Sequence, residues 1–267
     1  MRIDRIHTVA FSPCGTTAAT LRAVAAGFGG PVTEHDLTLP GARSSVREFG
    51  PRDLVCIGFP VYGGRLPHNA GRVFAAVSGS DTPAVLVAVY GNRDYEDALL
   101  EMQREAEKRG FVAIAATAAV AEHCMAPEVA ARRPDAQDAA ILARFAEAVA
   151  AYAGALSAAS AARFTAPGEY PYRKEMLRAN AAPRAAEGCT RCGTCAKVCP
   201  TGAIDAAAPE GADDAACIVC MACIKACPES IRRPTHPTYE KSREWLRATC
   251  MRRKEPLFFP EAVIPKE

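Results

Sequence analysis

Cysteine dominates the chemistry open to this chain, and eight of its twelve cysteines fall in two runs of identical spacing. CTRCGTCAKVCP runs from Cys189 to Pro200 and CIVCMACIKACP from Cys217 to Pro228, each reading C-x-x-C-x-x-C-x-x-x-C-P. Disulfides, zinc and iron–sulfur clusters are the candidate uses. The N-terminal stretch MRIDRIHTVAFSP is charged at Arg2, Asp4 and Arg5 and does not read as a signal peptide, so a reducing, cytoplasmic setting is expected, where disulfides are disfavoured. Zinc is the weaker reading, because three cysteines at successive C-x-x-C steps crowd one tetrahedral ion. A [4Fe-4S] cubane spreads its irons over four corners and accepts three thiolates from one tight loop plus a fourth from elsewhere, and this spacing is the bacterial one for such clusters.

The elements ahead of these runs alternate. Short apolar stretches at Ile6 to Phe11, Val32 to Leu39, Leu54 to Phe59, Ala84 to Tyr90 and Phe111 to Val120 read as strands. Helical patterns fall between them at Thr17 to Ala26, His68 to Val77 and Asp94 to Arg109, the last opening on Asp94 and Asp97 in capping-box style. Asp135 and Asp138 start a final helix with Ile141, Leu142, Phe145, Val149 and Tyr152 at helical period. Five strand and helix alternations predict a doubly wound α/β sheet, five-stranded and parallel, whose ligand crevice lies at the carboxyl ends of the strands. The loops leaving the first, third and fourth strands are the ones to inspect. SPCGTT (Ser12 to Thr17) sets small hydroxyl residues around Gly15 before a helix, a cradle for a phosphate. PVYGGRLP (Pro60 to Pro67) and YGNRDYED (Tyr90 to Asp97) each place a tyrosine near glycine, which suits a flat ring. Neither GxxxxGK[ST] nor GxGxxG is present, which weighs against nucleoside triphosphates and nicotinamide.

Those three loops resemble flavodoxin over residues 1 to 157, with strand order 2-1-3-4-5. The resemblance implies FMN held by Ser12, Cys14, Gly15, Thr16 and Thr17 at its phosphate, and by Pro60, Val61, Tyr62, Gly63, Gly64, Tyr90, Gly91, Asn92, Asp94 and Tyr95 around its ring. Tyr62 and Tyr95 would flank the isoalloxazine, and a flip at Gly63 or Gly64 would offer a carbonyl to N5 after one-electron reduction. Cys14 departs from the family's hydroxyl, and a weaker donor there implies lower affinity. The cysteine runs resemble the two-cluster bacterial ferredoxins. There the fourth ligand of each cluster comes from the other motif, which implies Cys189, Cys192, Cys195 and Cys227 on one cluster and Cys217, Cys220, Cys223 and Cys199 on the other. The intervening TGAIDAAAPEGADDAA fits a strand, turn and strand.

A domain division follows: 1–157 flavodoxin-like, 158–184 a Pro- and Ala-rich linker or strap, 185–232 a small α+β ferredoxin-type module, and 233–267 a C-terminal extension on the body of the protein. With 267 residues and 49% apolar content there is core for this, and the net charge of +2 calls for neither nucleic acid nor an anionic membrane. No stretch is long and apolar enough to suggest a membrane span. From Ile231 to Lys254, eight Lys or Arg face only Glu240 and Glu244, a solvated helix face or else a docking patch for an acidic redox partner, with Trp245 and Leu246 expected to pack on the body. His123 is expected to be a structural, hydrogen-bonded histidine rather than a flavin neighbour. The implied function is electron transfer between FMN, two [4Fe-4S] clusters and donor and acceptor redox proteins, in a monomer or homodimer. A flavin-dependent reductase of a quinone or nitro compound and a redox sensor are the alternatives, and no acid–base catalytic constellation is evident.

Overall fold

Runs such as LVCIGF and AVLVAV carry no polar alternation, so they are stable only with both faces covered, and the fold covers them. The computed structural model describes residues 1–162, 164–175 and 182–265. Its strands are β1 (Arg5–Ala10), β2 (Val32–Asp36), β3 (Arg47–Phe49), β4 (Asp53–Pro60), β5 (Val77–Gly79), β6 (Thr82–Tyr90), β7 (Phe111–Val120), β8 (Arg184–Ala185), β9 (Arg232–Arg233) and β10 (Leu257–Phe259). Its helices are α1 (Thr16–Ala26), α2 (Ala70–Phe74), α3 (Ala98–Glu107), α4 (Ala136–Ala155), α5 (Thr194–Lys197), α6 (Ala222–Lys225) and α7 (Tyr239–Thr249).

The main sheet runs β2-β1-β4-β6-β7-β10, its first five strands parallel and β10 antiparallel against β7. Taken alone, the parallel strands follow the 2-1-3-4-5 order of a flavodoxin-like sheet. Every residue of β4 and β6 is buried. One face packs Leu21 and Val24 of α1 with Leu142, Phe145 and Val149 of α4. The other packs Val73 and Phe74 of α2 with Leu99 and Met102 of α3, and here Ile218, Cys220 and Ala222 of the second cysteine run join the same core. The cysteine-rich module is therefore seated on the sheet domain.

Several expectations need correction. The sheet has a sixth strand, β10, supplied by the C-terminal extension. The helix expected over His68 to Val77 is the single turn of α2, followed directly by β5. Asp135 and Asp138 start α4 as expected, and they form there the reciprocal capping box that the sequence pattern suggests for Asp94 and Asp97 instead. Asp97 makes no such box on α3: its carboxylate accepts from the Glu169 and Arg173 amides at 2.9 and 2.7 Å, so it anchors the strap instead. No strand forms over 201–216, where Ala, Gly and Pro have little β propensity, and the module's own pairing is β8 with β9. Of the linker 158–184, residues 163 and 176–181 lie outside the described residues, as do 266–267 of the extension. The described strap is fastened by Ala166 N–H to Gln103 (2.6 Å), and by Arg104 and Arg65 stacked on Tyr170 and Tyr172 at 3.9 and 3.8 Å.

Candidate cofactor sites

Each cysteine run is a loop closing on a one-turn helix, α5 or α6. Both helices start from a left-handed residue, Gly193 (φ 71°) or Met221 (φ 65°), which curls the loop so that its thiols face inward. Cys189, Cys192, Cys195 and Cys227 line one void, and Cys199, Cys217, Cys220 and Cys223 line another. These are the two sets implied by exchanging the last cysteine of each run. Four thiols around each void offer one ligand to each corner of a polynuclear cluster. Backbone and side-chain donors already point at the sulfurs, with Ala203 N–H on Cys199 (3.2 Å), Val219 N–H on Cys217 (3.3 Å) and Arg232 Nη1 on Cys195 (3.4 Å).

At the carboxyl ends of the parallel strands, Gly15 adopts φ 85° and turns the chain from β1 into α1. The Ser12 hydroxyl accepts from Ala18 N–H at 2.9 Å, and Ser12 N–H donates to Thr38 Oγ1 at 2.8 Å. The first-turn amides of α1 have no intrahelical acceptor, and Thr17 Oγ1 is buried with no partner. Thr16 and Thr17 line a cavity of about 40 Å³ with Tyr62, Tyr90 and His123. Orphan amides, a spare hydroxyl and the positive end of an eleven-residue helix suit a small anion such as a phosphate ester. Cys14 lines the same cavity, but its thiol is already engaged. It donates to the Cys220 carbonyl at 2.9 Å, and burial pushes its pKa up to about 11, so it stays a neutral thiol at the junction of the two domains.

A larger cavity of about 900 Å³ adjoins this one, sharing Tyr62, His123 and Cys124 with it. Tyr62, Gly63, His123 and Met125 from the sheet's mouth face Cys217 and Trp245 across it. Gly63 and Gly64 both have positive φ (64° and 86°), and Tyr62 and Arg65 exchange backbone hydrogen bonds across them, the pattern of a type I′ turn. A Cβ on Gly64 would also strike Glu96. Behind the turn, Arg65 meets Glu101 in a buried two-pronged pair at 2.7 and 2.8 Å, while its third nitrogen holds the Lys174 carbonyl at 2.6 Å. A Cβ on Gly91 would sit 2.3 Å from His123 Cδ2, so glycine there makes room for the imidazole. His123 Nδ1 accepts from Met125 N–H at 3.2 Å, and burial lowers its pKa to about 4.

The remaining ring-loop residues are placed differently. Tyr90 is buried and lines the smaller cavity. Pro60 and Val61 line it too, whereas Tyr95 packs against Tyr90, with ring centroids 5.8 Å apart, and lines neither cavity. Asp94 accepts from the Tyr95 and Glu96 amides in an exposed turn. Asn92 turns away altogether: its amide donates to the Cys250 and Arg252 carbonyls at 2.6 and 2.9 Å and accepts from Lys254 N–H at 3.3 Å. Sequence reasoning missed Arg65, Glu101 and Arg232, whose side-chain hydrogen-bond partners lie 21 or more residues away. The basic stretch after Ile231 is largely consumed within the chain, since Arg232 is buried, Arg243 pairs with Glu128, and Arg253 with Asp135 and Asp138. Leu246 packs as expected, but Trp245 is half exposed at the cavity rim.

Residues 163–240 match the family model described as a 4Fe-4S dicluster domain. None of the curated proteins matches the chain. Among solved structures, the two-electron reduced flavodoxin of Megasphaera elsdenii is similar at 19% identity, over 47% of this chain and 93% of that one, with a TM-score of 0.30. A Bacteroides uniformis chain described as a flavoprotein is similar at 12% identity, over 42% and 87%, with a TM-score of 0.28. Among the described residues no helix is long and apolar enough to cross a membrane. The chain thus combines a parallel sheet in the strand order of a flavodoxin-like fold with a segment, residues 163–240, that is similar to a 4Fe-4S dicluster domain.

Proposed function

We propose that the protein carries electrons between an FMN held at the mouth of the parallel sheet and two [4Fe-4S] clusters, and exchanges them with donor and acceptor redox proteins in the cytoplasm. The observation that carries this reading is the seating of the second cysteine run on the sheet's mouth. Ile218, Cys220 and Ala222 share a core with Val61 and Tyr62, the Cys14 thiol bonds the Cys220 carbonyl, and Lys225 pairs with Glu122 at 3.0 Å. Cys217 lines both its own cluster void and the larger cavity, so one loop borders both candidate sites.

In this reading Thr16 and Thr17, with their own backbone amides, hold the phosphate, and Tyr62 with the Gly63–Gly64 turn borders the ring. Arg65 and Glu101 keep that turn rigid from behind. Neutral His123 adds no charge beside the ring at neutral pH. FMN when bound supplies a centre that takes up two electrons, whereas each cluster exchanges one, so the chain can interconvert paired and single transfers. Tethering the centres replaces a diffusional encounter with a high effective concentration. The size of the cavity beside Tyr62 favours one other reading, a reductase that admits a small quinone or nitro acceptor to the flavin.

Anaerobically purified protein should contain about eight iron and eight acid-labile sulfide per chain and bind one FMN. Bound zinc in place of iron would remove the cluster half of the proposal, and no flavin uptake at saturating FMN would remove the other. Flavin-dependent turnover of a quinone faster than electron delivery to protein acceptors would favour the reductase.

A further inference from the structure

The side chain of Arg232 is among the largest fully buried ones in the protein, 1% exposed, and among the described residues it makes no ion pair. Burying a guanidinium without a counter-charge is expensive, so its surroundings should explain it. Nη1 donates to the Pro209 carbonyl at 2.5 Å and to Cys195 Sγ at 3.4 Å. Nη2 donates to the Pro183 and Gly211 carbonyls at 2.7 and 2.9 Å, and Nε has no partner. The charge of the same guanidinium also reaches Cys223. Cys195 belongs to one four-cysteine set and Cys223 to the other. Three backbone carbonyls thus clamp a permanent positive charge in the wall of the Cys195 void, close enough for its field to reach Cys223 of the other set, with water excluded.

We infer that Arg232 sets the reduction potentials of both clusters, acting as a fixed cation shared between them that favours their reduced forms. The inference rests on the cluster half of the proposed function. Four thiolates outweigh the positive charge of the iron–sulfide core, so each assembled cluster is an anion, and adding an electron makes it more so. A nearby cation and a hydrogen bond to a ligating sulfur both stabilise the added negative charge, and both are established determinants of cluster potential. Low local dielectric strengthens the interaction, and three carbonyl bonds stop the side chain from swinging away as charge changes. The clusters in turn provide the counter-charge that the surrounding side chains do not.

Three measurements on the full-length, cluster-loaded protein test this. In an EPR-monitored redox titration, Arg232→Gln, which keeps a polar group near the carbonyls but removes the charge, should lower both midpoints. The expected drop is at least threefold in the electron-binding equilibrium, about 28 mV at about 59 mV per tenfold for a one-electron couple. Arg232→Lys, which keeps the charge and loses the fork, should stay within that margin of the wild type. Should the glutamine variant fail to assemble, pulsed EPR of reduced wild-type protein carrying ¹⁵N-arginine should still show nitrogen coupling at each cluster. A smaller or upward shift in Arg232→Gln, a drop in Arg232→Lys equal to that in Arg232→Gln, or no arginine coupling would overturn the inference while leaving the clusters in place. Iron and sulfide analysis run beside it separates that result from a protein that holds no clusters, which would overturn both.

Discussion

His123 is kept neutral by burial, its folded pKa near 4 against an ordinary 6.5. Between those values the unfolded chain takes up a proton that the folded chain refuses, so stability is whole above pH 6.5 and falls as pH drops toward 4. The loss at full extent is about 3 kcal/mol. Urea denaturation at pH 7 and pH 5 should show this slope in the wild type and a flatter one in His123→Gln; equal slopes would place its origin elsewhere. Thr17 makes the opposite kind of prediction. Its hydroxyl is buried without a partner at the anion cradle, so Thr17→Val, of the same shape, should leave stability within about 1 kcal/mol. It should weaken FMN binding by about tenfold, the worth of one hydrogen bond to a charged group. Flavin fluorescence quenching reads the affinity, and unchanged binding would remove Thr17 from the phosphate site.

Elements far apart in sequence are tied through single polar side chains. Asn92, in the loop after β6, holds the segment between α7 and β10 by three hydrogen bonds and sits in the left-handed region at φ 62°, which asparagine tolerates better than alanine. Asn92→Ala leaves two carbonyls and an amide without their partner and strains the backbone, a loss of about 2–4 kcal/mol. A lower urea midpoint and faster tryptic cleavage at Arg252 and Arg253 are the expected outcome. An unshifted midpoint with faster cleavage would mean that the segment is held locally and adds nothing to the global fold. Asp97 does the same for the strap, and this is why a residue that reads as a helix cap is found bonding Glu169 and Arg173.

At the scale of the whole molecule, the contact of the second cysteine run with the sheet's mouth predicts electron exchange without diffusion. After photoreduction of the flavin, cluster reduction should be first-order, with a rate constant unchanged over a tenfold dilution of protein. A rate proportional to concentration would show that electrons pass between chains, and would sink the view of the fusion as a single conduit.

The sequence by itself determined what is local. Thiol spacing within twelve residues fixes which cysteines share a loop, and unbroken apolar runs such as β4 and β6 can persist only inside a covered parallel sheet, so both were legible without coordinates. The start of α4 at Asp135 and Asp138 was legible for the same reason, three residues being one helical turn. What the tertiary structure decided is every pairing across long separations: β10 on β7, Asn92 on the C-terminal segment, and Cys14 on Cys220. A three-residue strand carries too weak a pattern to be seen, and a polar side chain shows its type in the sequence but not its partner. Arg232 is the clearest case: one arginine in a basic stretch, it differs from its neighbours only because the chain folds it into a dry site beside the Cys195 thiol.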